Sequence, residues 1–278
     1  MHSERLTGFQ IAFFIFALSI VCIPLSRKIL VLLGPGWEER EIFRALFFSV
    51  SALVIIAFPR VRIAASRLLQ APIPPRQKRE VAWVVAANTL MPLAIAGMFA
   101  VWALWQWGIP GPERLITMQL SDTRELDHTF SRSGAFVFFA GVFAAPVIEE
   151  LVFRGFLFTA WEQRWGWIWS AVLSSTVFAF YHPHFAPAFI GGFIYVAVFR
   201  RTGSLSAAII AHASHNLFLS YPLLGQFVFP RSSTAGFVET WWIQLTALSL
   251  ALVALPYYLL KAHNAPAANP LAQSTFSA

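Results

Sequence analysis

Val81–Trp107 reads VAWVVAANTLMPLAIAGMFAVWALWQW and holds no charged side chain. Trp241–Leu260 is a second stretch of the same kind. A helix that crosses the roughly 30 Å hydrocarbon layer needs about 20 mostly apolar residues. Helices rather than open strands are expected, because lipid offers no partner to an unpaired backbone group. Bulk composition agrees. Of 278 residues, 58% are hydrophobic and 12% charged, against about 25% charged in soluble domains. Mean hydropathy is +0.64. These values exclude an ordinary soluble domain and point to an all-α, polytopic membrane bundle.

Working outward from that stretch, eight apolar segments are expected as spans, at about 9–26, 43–58, 81–107, 134–160, 167–182, 186–199, 204–222 and 241–260. Together they make one membrane-embedded domain over 1–262, followed by a disordered tail over 263–278. The first segment is too long and too poorly cleavable for a signal peptide and is read as a retained helix. The 59–80 stretch is read as a loop holding Arg60, Arg62, Arg67, Arg76, Lys78 and Arg79. The positive-inside bias puts it in the cytoplasm, which gives eleven basic residues inside and eight outside. The long outer loop, about 108–133, is read as solvated. Net charge is +7, but the basic residues flank apolar runs and form no stripe, so lipid headgroups and not nucleic acid are the expected partners. The single cysteine, Cys22, excludes an intrachain disulfide.

Ionisable groups inside spans are costly and default to function. Glu149-Glu150-Leu151-Val152-Phe153-Arg154 lies in the fourth segment. Glu150 and Arg154 share a helix face and are expected to pair. Glu149 points about 100° away and is left out of that pair. The plain alternative is an ion pair that only holds helices together. Phe178 and His182 share a face in the fifth segment, and Pro183 places His182 where the helix ends. His182 and His184 could equally be an interfacial pair. His212 and Asn216 share a face in the seventh segment, with His215 about 60° from His212. Plain interhelical hydrogen bonding would also use them.

Taken together, a carboxylate and two histidines on three segments are the parts of a His2Glu constellation. Such a set holds a catalytic zinc with an open position, or activates water directly. Asn216 would add a donor to a developing oxyanion. The chemistry expected is water-driven cleavage of an amide within the membrane. Counting rise along each segment puts Glu149 and His212 toward the inner half and His182 farther out than either.

These three blocks, in order and spacing, resemble the EExxxR, FxxxH and HxxxN signatures of the CPBP intramembrane proteases, also called the CAAX-protease and bacteriocin-processing or Rce1-like family. The similarity spans roughly 134–222 and includes the glycine-bearing stretch from Phe189-Ile190-Gly191-Gly192 to Thr202-Gly203-Ser204-Leu205. It implies a metalloendopeptidase with Glu149 as the water-activating residue and Arg154 positioning Glu149 and Glu150. It also implies that His182 and His212 act at the centre and that Asn216 serves as oxyanion or positioning residue. A metal, if bound, would be Zn2+ on Glu149, His182 and His212. The substrate implied is a membrane protein or peptide, and the site implied is a cavity open to the cytoplasmic side of the plasma (inner) membrane. Two other functions use the same residues. One is an ion-coupled transporter, against which the lack of internal symmetry counts. The other is a non-catalytic binder or immunity protein.

Overall fold

A computed structural model describes residues 8–33, 39–108, 138–182, 185–220 and 234–265, and every regular element in it is helical. The helices are α1 (Gly8–Leu33), α2 (Glu39–Ala57), α3 (Pro59–Gln70), α4 (Lys78–Thr89) and α5 (Met91–Trp107). A composite rod follows, made of a π turn (Ala140–Ala144), α6 (Ala145–Glu150) and a π segment (Leu151–Phe158). Then come α7 (Thr159–Phe180), α8 (Phe185–Thr202), α9 (Leu205–Ser220) and α10 (Thr234–His263).

Two expectations are corrected. The 81–107 run is not one helix. It is α4 and α5 with a turn at Leu90, because Pro92 sits in the first turn of α5 and has no amide hydrogen to continue the α4 ladder. The 59–80 stretch is not all loop. Pro59 occupies the first position of α3, where a missing amide hydrogen costs nothing. Ala65 and Leu68 of α3 are buried against Leu151 and Phe158, while Arg67 is exposed. The 108–133 loop, the 263–278 tail and His184 lie outside the described residues, except for Gly108 and 263–265.

Among the described residues, Ile243–His263 is by itself long and apolar enough to cross a membrane, with 21 residues at mean hydropathy 1.8. Ala45–Ala57 and Val61–Gln70 reach that standard as a pair, across a bend of 103°. Helix length and composition therefore carry one or two spans. Polar and apolar groups are nonetheless distributed inside out. Val31, Leu53, Trp105, Leu252 and Val253 are exposed, whereas Glu150, Arg154, Ser170 and Gln244 are fully buried. Water would punish that arrangement and lipid rewards it.

The core that positions the site is formed where the π segment, α7, α8 and α9 meet, with α4 against α9. α5 packs on α10 at close range. A Cβ on Gly97 would stand 2.5 Å from the Gln244 carbonyl oxygen, so only glycine permits that crossing. Gly166 (φ +72°) breaks α7 near its start, and Gly203 (φ +64°) turns the chain from α8 into α9. A polar belt ties these ends together. Arg200 pairs with Glu162 and donates to the carbonyls of Ala262 and Ala265 at 2.9 and 2.8 Å. Arg201 grips Glu80 with two bonds of 2.8 and 2.7 Å. The double bond to Glu80 holds the Arg201 guanidinium above its usual pKa. Ser204 Oγ donates to the Ala71 carbonyl at 2.9 Å.

Candidate active site

Four helical elements bring the sequence-predicted residues together. Glu149 and Glu150 end α6, Arg154 lies in the π segment, His182 follows α7, and His212 and Asn216 lie on α9. The separation of the two carboxylates is the one the helix dictates. Glu150 Oε1 lies 3.0 Å from Arg154 Nη1 and 2.8 Å from His212 Nδ1. Glu149 Oε2 instead faces His212 Nε2 at 3.7 Å and His182 Nε2 at 3.9 Å. It is buried and takes no hydrogen bond.

Arg154 shows how a fully buried cation is accommodated. Its guanidinium meets Glu150, donates to the Gly192 carbonyl at 3.1 Å and lies 4.4 Å from the centre of the Phe178 ring. Gly192 is glycine for space, since an added Cβ would come within 3.1 Å of Arg154 Nη2 and of Ser175 Cβ. The π geometry of Leu151–Phe158 is a departure that recurs at functional sites.

The His182 ring is fixed by an Nδ1 contact with the Phe178 carbonyl at 2.9 Å and lies 4.3 Å from the Phe178 ring. Its Nε2 faces Glu149. The depth expected for His182 is corrected. Glu149 lies 17 positions before the Gly166 break and His182 lies 16 after it, about 26 and 24 Å along the two arms. The hairpin pairs them at one level. The rod that carries Glu149 runs past position 160, the expected end of the fourth segment, to Gly166. Asn216 Nδ2 donates to the Gly141 carbonyl in the π turn at 2.9 Å. His215 Nδ1 lies 3.4 Å from the Asn88 carbonyl oxygen.

Two neighbours were not singled out from sequence. Tyr195 stacks on His212 with ring centres 4.6 Å apart and planes at 16°. Asn88 donates to the Ala211 carbonyl at 2.7 Å. An asparagine alone in a charge-free run was the available signal for the second.

Glu149, His182 and His212 offer the donor types zinc accepts. Ligands at about 2.0–2.2 Å from a tetrahedral zinc sit about 3.3–3.6 Å from one another. The observed 3.7 and 3.9 Å are a few tenths wider. Among the described residues, no group of three His, Cys, Asp or Glu side chains converges as metal ligands do.

Among the described residues, then, the helices bring one buried carboxylate oxygen to face two imidazole nitrogens, and a glutamate–histidine cluster inside a helical bundle is the class this defines. Residues 131–218, which carry every member of this site, match the family model described as type II CAAX prenyl endopeptidase Rce1-like. Residues 131–218 are thus similar to an Rce1-like (CPBP) domain, and that family is one of membrane-embedded proteases. No curated protein and no solved structure matches the chain.

Proposed function

We propose that this protein is an intramembrane endopeptidase that hydrolyses a peptide bond of a membrane-associated protein or peptide with water activated at Glu149. The observation that carries the reading is Glu149 Oε2, buried, without a hydrogen bond, and facing two histidine Nε2 atoms. A carboxylate held free inside a buried polar pocket is what general-base activation of water requires.

The steps follow from the chain's own groups. Glu149 takes a proton from water as the water oxygen bonds to the scissile carbonyl carbon. The carbonyl electron pair moves onto oxygen, and the Asn216 side-chain amide faces that oxyanion. The C–N bond then breaks, Glu149 returns its proton to the departing amine, and one carboxylate and one amine leave. Arg154 pairs with Glu150, and Glu150 orients His212. Zn2+, if bound, would be held by Glu149, His182 and His212 and would supply Lewis-acid activation of water.

The eight apolar segments are read as eight passes of one domain, 1–262, in the plasma (inner) membrane. The basic end near Arg76, Lys78 and Arg79 is read as cytoplasmic. From Glu162, the partner of Arg200, the rod runs 13 residues to Glu149, about 20 Å. Cleavage in H2(18)O by the purified chain in proteoliposomes tests the reaction. Farnesylated and unlipidated peptides serve as substrates. One (18)O in the new carboxylate supports direct hydrolysis, and cleavage without (18)O overturns it. Loss of cleavage on chelation with return on adding Zn2+ would assign the metal.

A further inference from the structure

Asn88 and Tyr195 both occupy apolar segments where a polar side chain is costly, and both are buried, at 3% and 2% exposure. Asn88 lies on α4, outside the matched residues 131–218. Its Nδ2 donates to the carbonyl of Ala211, the residue just before His212, at 2.7 Å. Its own carbonyl oxygen lies 3.4 Å from His215 Nδ1. The two contacts bracket one turn of α9, and His212 is on that turn. Tyr195, from α8, lies flat on the His212 ring at 4.6 Å. The Asn88 amide oxygen is buried and takes no hydrogen bond. The Phe178 ring meets the remaining side of His212 edge-on, 5.7 Å away at 77°.

We infer that Asn88 and Tyr195 are positioning residues that fix the backbone and ring plane of His212, so that α4 completes the site from outside the family domain. This rests on the reading of His212 as part of a hydrolytic centre. Glu150 fixes the ring's Nδ1, which sets rotation about one axis only. Stacking on Tyr195 and the Asn88 bond to the preceding carbonyl remove the remaining tilt and slide. A displacement of about 1 Å at such a group costs roughly 100-fold in rate.

Two readouts on the full chain in nanodiscs separate this inference from the protease reading. The first needs no substrate. In a Glu149→Ala background, the time course of His212 carbethoxylation by diethyl pyrocarbonate is followed by mass spectrometry at one pH, with His263 as internal reference. Asn88→Ala and Tyr195→Leu should each speed His212 modification several-fold, leaving His263 unchanged. Tyr195→Phe, which keeps the stack and loses the hydroxyl, should fall between. Profiles for His212 that superimpose on the parent in all three variants overturn the inference. The second readout is cleavage by variants with Glu149 intact. Asn88→Ala and Tyr195→Leu should lower kcat roughly 10- to 100-fold with KM unchanged, and parental kcat in both overturns the inference. If the parent cleaves nothing while His212 responds as stated, the protease reading fails and the positioning role stands. If Asn88→Ala does not fold, the Tyr195→Leu and Tyr195→Phe pair decides alone.

Discussion

Glu150 Oε1 lies 2.8 Å from His212 Nδ1, and that contact turns the opposite ring nitrogen, Nε2, toward Glu149. Adjacent glutamates therefore have unlike surroundings. Glu150 is paired twice, and Glu149 Oε2 takes no hydrogen bond, as the proposed general base requires.

The pairing predicts opposite stability effects for the two carboxylates. Glu150→Ala strands the fully buried Arg154 and should cost about 3–5 kcal/mol. Glu149→Ala removes a side chain with an unbonded buried oxygen and should leave the unfolding temperature in detergent nearly unchanged. Equal destabilisation by the two would refute the division of labour.

Activity should divide the other way. Glu149→Ala and Glu149→Gln should lower cleavage by at least about 100-fold, the low end of general-base contributions. His182→Ala should lose a comparable factor while folding normally. Rates for purified variants on one substrate decide this, and wild-type rates would contradict it.

Gly192 and Gly141 predict a steric contrast. A Cβ at Gly192 meets Arg154, Ser175 and Phe178 between 3.1 and 3.2 Å, whereas one at Gly141 meets nothing within 4 Å. Gly192→Ala should destabilise by about 1–3 kcal/mol, as overpacking does, and reduce activity by moving Arg154. Gly141→Ala should stay within about 0.5 kcal/mol of the parent. Thermal unfolding of both checks the contrast.

The polar belt predicts a separation of stability from chemistry. The Glu80–Arg201 pair is about a quarter exposed, so Glu80→Ala should cost no more than about 1 kcal/mol. It lies at the far end of α8 from the site and should leave kcat unaltered when assayed at full occupancy of the folded state.

The three motif blocks were legible because each rests on short-range spacing. Glu150 and Arg154 pair at i, i+4, and His212 and Asn216 share a face for the same reason. Helix order was legible from apolar runs, since lipid-facing and buried faces are both apolar. Other features depend on partners distant in sequence or on backbone detail. Pro92 divides an uninterrupted apolar run. Pro59 starts a helix in a basic stretch that reads as loop. The level of His182 is set by Gly166, whose break is visible only once the rod is seen to pass position 160. Asn88 and Tyr195 acquire meaning only through α9, more than a hundred residues from Asn88 in the chain.

The most direct test of the central claim compares chain termini in membrane proteomes from cells carrying the wild type and Glu149→Ala, with both proteins expressed and folded. The account predicts new termini in the wild type that vanish in the variant. Identical sets of termini in the two would contradict it.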